Sequence, residues 1–129
     1  MSWQTILAIG SGGFIGAVSR AYLNGLINRH IPHELPFGTL GVNILGSLTL
    51  GILFAFFTYT EYFSTTMKSF VSTGMMGALT TYSTFALETF WLFNQGSLFL
   101  GATNALLNLL STILAAGTGF KAVEYFLSS

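Results

Sequence analysis

Four long apolar stretches, separated by three short polar links, dominate the pattern of the chain. The stretches cover residues 4–27, 38–58, 69–93 and 98–120. Each is long enough to cross a hydrocarbon layer roughly 30 Å thick, which takes about 20 residues of helix. The first link holds both prolines, and the third is a short turn in which Gly96 suits a left-handed conformation. The pattern predicts an all-α membrane protein, a single domain over residues 1–129 with four transmembrane helices.

Composition supports a lipid environment for most of the chain. Of its 129 residues, 52% are hydrophobic and only 6% are charged, whereas soluble domains carry about a quarter charged residues. So few charges exclude a soluble globular protein and a disordered chain, and there is no basic surface for a nucleic-acid partner. The chain has no cysteine, so neither disulfides nor thiolate metal ligands are expected.

The basic residues give no preferred orientation in the membrane. Lys68 and Lys121 fall on one side of the predicted topology, and Arg20 and Arg29 fall on the other. The positive-inside rule therefore has no asymmetry to act on. Either a short protein simply carries a weak signal, or both orientations insert and two subunits pair upside down to one another. We favour the second interpretation.

Polar residues follow one face of the second and fourth predicted helices, because positions four apart stack along a helix. The stripes are Thr39, Asn43 and Ser47 in the second helix, and Asn104, Asn108, Ser111 and Thr112 in the fourth. Such residues can simply bond neighbouring helices together in lipid. Two asparagines in one helix, facing a matching stripe, exceed what association usually requires. We therefore favour a polar conduit over helix association alone.

The third predicted span contains five hydroxyl-bearing residues in a row, at positions 80–84, with glycines upstream. Serine and threonine side chains compete for backbone hydrogen bonds, and glycine loosens a helix further. A continuous helix with back-bonded hydroxyls is one reading, and we favour a break near the membrane midplane. Broken helices at that depth need protein or a polar cavity around them, and their freed carbonyls can coordinate a cation such as Na⁺.

Two charged residues lie inside or near the spans. Arg20 either extends to the interface or lends positive potential to the mouth of an anion path. Glu88 either faces a vestibule or pairs with a basic group. No His, Asp or Cys accompanies a serine in an arrangement that builds a nucleophile and a base, so the sequence predicts no enzyme.

Three motifs in order resemble signatures of the Fluc (CrcB) family of bacterial fluoride channels. They are Gly12-Gly13-x-x-Gly16-Ala17-x-x-Arg20, Gly38-Thr39-Leu40-x-Val42-Asn43-x-x-Gly46-Ser47, and Gly77-Ala78-Leu79-Thr80-Thr81-Tyr82-Ser83-Thr84-Phe85. The resemblance implies a dual-topology antiparallel homodimer in the bacterial inner membrane that lowers cytoplasmic fluoride by passive efflux. It also implies a structural Na⁺ at the subunit interface, not transported, held by the backbone carbonyls of Gly77 and Thr80 from each subunit.

The same resemblance implies which residues form the fluoride pore. The rings of Tyr82 and Phe85 would present their partially positive edges to the anion, and Asn43 would contact fluoride or orient those rings. Tyr82 stands where the family usually has Phe, so its hydroxyl is an addition. The other expected pore residues are Ser83, Asn104, Asn108 and Thr112, and the expected vestibule residues are Arg20, Thr39 and Glu88.

Two alternatives belong to other classes of protein. A small four-helix, dual-topology exporter of cations or drugs would need an intramembrane carboxylate, typically in the first span. Here that span holds Arg20 and no acid, and Glu88 lies off-centre in the third. A purely structural membrane scaffold would use the polar stripes only to join helices.

Overall fold

The structure, a computed structural model, describes residues 1–128 and contains no β-strand within them. Its elements in chain order are α1 (Trp3–His30), α2 (Phe37–Tyr59), α3 (Thr65–Lys68), the π-helix π1 (Ser69–Met76), α4 (Gly77–Leu79), α5 (Ser83–Asn94) and α6 (Leu98–Leu127). The predicted all-α class is confirmed.

Three helices, α1, α2 and α6, are each long and apolar enough to cross a membrane. They contain the first, second and fourth predicted spans and extend past them, because backbone hydrogen bonding continues beyond the apolar part of each stretch. The third predicted span is divided among three shorter elements, π1, α4 and α5, with α3 directly before it. No single helix within residues 65–94 therefore reaches the length needed for a crossing.

Helix α1 packs backbone to backbone against π1. A Cβ atom at Gly12 would lie 2.3 Å from the Phe70 carbonyl oxygen, and one at Gly16 would lie 2.1 Å from that of Met75. Both distances are far below van der Waals contact, so only glycine allows this approach. These glycines therefore form a close-packing face on α1, and its partner is the π-helix.

Helices α2 and α6 form the other tight pair. A Cβ atom at Gly51 would lie 2.1 Å from the Ala116 carbonyl oxygen, and one at Gly119 would lie 2.6 Å from that of Leu48. Small residues of this kind let membrane helices approach closely. The pairing brings the polar stripes of the two helices face to face.

The turns fix how the helices follow one another. The Gly38 amide, at the start of α2, donates to Asn28 Oδ1 at 2.9 Å and so joins the ends of α1 and α2. Between α5 and α6, Gly96 adopts a φ of +86°, the left-handed conformation predicted for this turn. Both connections are short. The second turns the chain back, so that the end of α5 packs against the start of α6, with the Phe93 ring beside Gly101.

Candidate functional site

The third segment is interrupted at residues 80–82. Thr80 is extended, with φ −84° and ψ 157°. In an unbroken helix the Thr81 amide would donate to the Gly77 carbonyl and the Thr84 amide to that of Thr80. Instead, the first donates to Asn43 Oδ1 at 2.8 Å and the second to Thr81 Oγ1 at 3.2 Å. The predicted break is present and short, with Gly77 still helical at φ −62° and ψ −34°.

Asn43 of α2 braces the break. Its Oδ1 accepts from the Thr81 amide, and its Nδ2 donates to the Thr81 carbonyl at 3.0 Å and to Asn108 Oδ1 at 3.1 Å. Both amide protons therefore have protein acceptors, and the side chain is only 8% exposed. A single carboxamide thus satisfies both backbone groups of Thr81 and prevents them from remaining unpaired.

The hydrogen-bonded network continues through α6 to α5. Asn108 Nδ2 donates to the Asn104 carbonyl at 3.0 Å, and Asn104 Nδ2 donates to Thr89 Oγ1 at 2.9 Å. Thr89 Oγ1 in turn donates to the Phe85 carbonyl at 2.8 Å. A buried network in which each member has a partner rigidifies its surroundings. Here it connects the break to the first turn of α5.

A groove with a cavity volume of about 470 Å³ lies between α2, the break and α6. Its lining consists of Asn43, Ser47, Leu50, Thr80, Thr81, Tyr82, Phe85, Ala105, Asn108, Leu109 and Thr112. The rings of Tyr82 and Phe85 stand edge to face, with centroids 5.4 Å apart and an interplanar angle of 67°. No charged side chain lines this groove within the described part of the chain.

Five of the seven expected pore residues meet in this groove, and two do not. Those that meet are Asn43, Tyr82, Phe85, Asn108 and Thr112. Asn104 lies behind the groove with 1% of its surface exposed, because its side chain is turned towards Thr89. Ser83 begins α5 and is exposed outside the groove.

Of the three expected vestibule residues, Glu88 lines a cavity, Thr39 lies beside Glu88, and Arg20 lies apart from both. Glu88 lines a second cavity of about 480 Å³ together with His33, Glu34 and Gln95. Thr39, only 2% exposed, lies beside the Glu88 carboxyl, whose Oε1 is buried and has no partner within residues 1–128. Arg20 is half-buried in α1 and lines neither cavity.

Thr89 is the hydrogen-bonding residue of this site that the sequence did not indicate. It resembles any helical threonine, and its partner Asn104 lies 15 positions away on another helix. The available signal was its spacing of four residues from Phe85, which places both on one face of α5. Ala105 and Leu109 were missed as lining residues because apolar positions in a membrane helix carry no mark of their own.

Only backbone and neutral oxygens are available to hold a cation near the break. No group of three or more His, Cys, Asp or Glu side chains suitable for a metal occurs in residues 1–128. The carbonyls of Gly77 and Thr80 are among those at the break whose usual helical donors are diverted, here to Asn43 and to Thr81 respectively. Gly77 is also exposed on the surface of the chain. Such oxygens suit a hard cation.

Apolar helices long enough to cross a membrane, an interrupted segment and a groove without charged side chains define a multi-pass α-helical membrane protein. The chain belongs to the family described as CrcB-like protein, Camphor Resistance (CrcB), whose family model matches residues 7–120. The resemblance drawn from the three motifs is thereby confirmed.

Curated relatives cover nearly the whole chain. A protein of Sulfurimonas denitrificans named fluoride-specific ion channel FluC is 60% identical over 124 residues, 96% of each chain. One of the same name from Nautilia profundicola is 48% identical over 127 residues, 98% of this chain and 99% of its own. A third, from Campylobacter jejuni, is 42% identical over 117 residues, 91% of this chain and 95% of its own.

Proposed function

We propose that this protein is a fluoride-selective ion channel that lowers cytoplasmic fluoride by passive efflux. The observation that carries the proposal is the groove beside the break, in which two aromatic rings stand among neutral hydrogen-bonding groups. Its relatives are named fluoride-specific ion channels. Flux through such a route follows the electrochemical gradient and requires neither ATP nor a redox cofactor.

The chemistry of the groove suits a small, strongly hydrated anion. Such an ion must exchange water for protein donors without being held so tightly that it cannot leave. The hydroxyls of Ser47 and Tyr82 both line the groove. Within residues 1–128 neither takes part in a hydrogen bond, so both are free to donate. The edge of an aromatic ring adds partial positive charge, and no fixed cation is present to trap the ion.

Asn43 fits the orienting role better than direct donation to fluoride. Both of its amide protons are used, one on Thr81 and one on Asn108. Asn43 holds the backbone of Thr81, the residue before Tyr82. This restricts the position of the Tyr82 Cα atom, from which the ring projects. The groove hydroxyls that remain free within residues 1–128 are those of Ser47 and Tyr82, because Thr80 and Thr112 donate theirs to backbone carbonyls.

The proposed channel is an antiparallel homodimer in which each chain crosses the membrane four times. Residues 65–94 would cross as two half-helices, which is tolerated where neighbours satisfy the break, as Asn43 does. Tyr82 lines the groove yet is 80% exposed in the single chain, so a second copy would complete the wall. Equal numbers of basic residues at the two ends allow both orientations in the bacterial inner membrane.

The proposed dimer would hold one structural Na⁺ through the Gly77 and Thr80 carbonyls of each subunit. Diversion of their helical donors and the exposure of Gly77 support this assignment. When bound, the ion would neutralise carbonyl dipoles that face each other across the interface. Arg20, Thr39 and Glu88 would then act at the mouths of the pore.

Fluoride efflux from liposomes containing the purified protein tests the function. A fluoride electrode should record rapid release, and a parallel chloride assay should record almost none. Phe85→Ile removes a ring edge from the groove and should reduce fluoride release by about tenfold or more, as expected when a positioned group is lost. Phe99→Ile is the matched control, because Phe99 is 81% exposed at the start of α6, and it should release fluoride normally.

Two results would overturn the proposal. Proton-coupled movement of an organic cation without fluoride release would identify a small exporter. Silence in every flux assay, with a folded protein in the vesicles, would leave a structural scaffold.

A further inference from the structure

We infer that Thr89 and Asn104 form a positioning pair for the Phe85 ring, and that Asn104 contributes in this way and not by touching the ion. The inference rests on the proposed channel function. It concerns a polar link on the side of α5 that faces away from the groove.

The Thr89 hydroxyl both donates and accepts a hydrogen bond, and so links Phe85 to Asn104. Thr89 has one hydroxyl proton, which it gives to the Phe85 carbonyl at 2.8 Å, and its oxygen accepts from Asn104 Nδ2 at 2.9 Å. Thr89 is 9% exposed and Asn104 is 1% exposed. Two successive bonds therefore tie the backbone of Phe85 to α6, and the Asn104–Thr89 bond is buried.

Phe85 needs this lateral support because it lies in the first turn of α5. Ser83 begins that helix directly after the break. Its N-cap residue, Tyr82, makes no side-chain capping bond, and the Thr84 amide is bonded by Thr81 Oγ1, which belongs to the break itself. The first turn of a helix has few backbone bonds of its own to fix its direction. Bonds from a neighbouring helix therefore decide where the Phe85 backbone, and with it the ring, is held.

Asn104 presents no group to the groove, because only 1% of its surface is exposed and one of its two Nδ2 protons is used within the protein. Its Nδ2 is directed to Thr89, while its Oδ1 and its carbonyl accept from Asn108 Nδ2 at 3.3 and 3.0 Å. It does not line the groove. Through Asn108 and Asn43 the same network reaches Thr81, so one connected set of bonds holds the Phe85 backbone and the residue before Tyr82.

Substitutions at Thr89 separate its hydroxyl from its shape. Thr89→Val keeps the branched side chain but removes the donor and acceptor, and Thr89→Ser keeps the hydroxyl. We expect Thr89→Val to reduce fluoride release by about tenfold or more, the size expected when a positioned group is displaced. Thr89→Ser should restore release to within about twofold of the parent, because the link between Phe85 and Asn104 is rebuilt.

Thr58→Val is the matched control. Thr58 makes the same kind of bond, to the Phe54 carbonyl at 2.7 Å, but on an exposed surface with no second partner. This variant should conduct like the parent. All variants are compared per folded protein, judged by gel filtration and by the thermal unfolding midpoint before reconstitution.

Each remaining outcome has a defined meaning. Normal release by a folded Thr89→Val protein would overturn the positioning pair, while fluoride release by the parent would leave the channel function standing. If Thr89→Val does not fold, Thr89→Ala removes the same hydroxyl without a branched side chain, and reduced release by that variant would support the pair. Failure of both to fold would make the hydroxyl a requirement of the fold, and the inference would be wrong. Absence of release by the parent would overturn the channel function itself.

Discussion

Single glycines decide how closely the helices around the break can approach. Gly16 leaves room for the Met75 carbonyl of π1, and Gly46 leaves room for the Thr80 methyl group, which would lie 2.3 Å from a Cβ atom there. The broken segment is thus held from two sides by positions without a side chain. A Cβ atom at Gly16 would force backbone to move, whereas one at Gly46 would displace the Thr80 side chain.

Gly16→Ala should destabilise the protein by about 1–3 kcal/mol, the usual cost of overpacking. Its Cβ atom would meet the Met75 carbonyl oxygen at 2.1 Å, and backbone cannot rotate away as a side chain can. Thermal unfolding of the purified protein in detergent measures the effect. Gly25→Ala is the control, since its Cβ atom meets nothing within 4 Å, and alanine there should leave the midpoint unchanged or raise it. Equal midpoints for the two variants would contradict the packing argument.

At the scale of elements, the break is the part of the site that the sequence could predict. A run of hydroxyl-bearing residues weakens a helix locally, so the interruption follows from residues 80–84 alone. The hydrogen bonds from Asn43 to the break could not be predicted in the same way, because Asn43 lies 38 positions from Thr81. A stripe on a helical face shows that a polar partner is needed but not which partner is supplied. Asn104 illustrates this limit, since the stripe predicted its face correctly while its donor points to Thr89.

The π-helix had no predictor in the sequence. Its hydrogen bonds run from residue i to i+5, as in the Gly77 amide that donates to the Ser72 carbonyl. Propensity scales compare α-helix with coil, and they do not distinguish the hydrogen-bonding pattern of a π-helix from that of an α-helix. The π-helix lies where α1 approaches most closely, at Gly12 and Gly16, and such a tertiary contact is not visible in the local sequence.

Replacement of Na⁺ by N-methylglucamine should lower both the thermal midpoint and the fluoride release of the protein. The freed carbonyls at the break would face each other across the dimer without a cation, and a large organic ion cannot enter between them. Phe85→Ile keeps those carbonyls, so its midpoint should fall to the same extent although it conducts poorly. Return of Na⁺ should restore the parent. Identical midpoints and release in the two salts would argue against a structural ion.

At the scale of the whole molecule, most large apolar side chains face outwards. On α6 alone the exposed ones include Leu106, Leu109, Leu110, Ile113 and Leu114. So much exposed apolar surface is expected only where lipid or a second subunit covers it. The few charges, four basic against four acidic, are too evenly placed to orient the chain.

A single cysteine at Gln95 should be labelled from both sides of the membrane, roughly half of the molecules from each, because the flanking charges set no preference. The chain has no cysteine of its own, and Gln95 lies exposed in the turn before α6. A membrane-impermeant maleimide applied to intact and to opened cells measures the two fractions. Replacing Asn94 with Lys in the same protein should shift the labelling towards one side. Labelling confined to one face without that lysine would rule out dual topology.

The wider winding of π1 also affects how this protein is mapped onto others. Each turn of such a helix takes up more residues than an α-turn, so side chains before residue 69 point in directions that a uniform 3.6-residue projection would misassign. In a relative with an α-helix at the same place, the residues before this segment would be offset by one position relative to those after it. Transfer of positions such as Lys68 between the two would then need a gap inside the helix, even though no loop has been gained or lost.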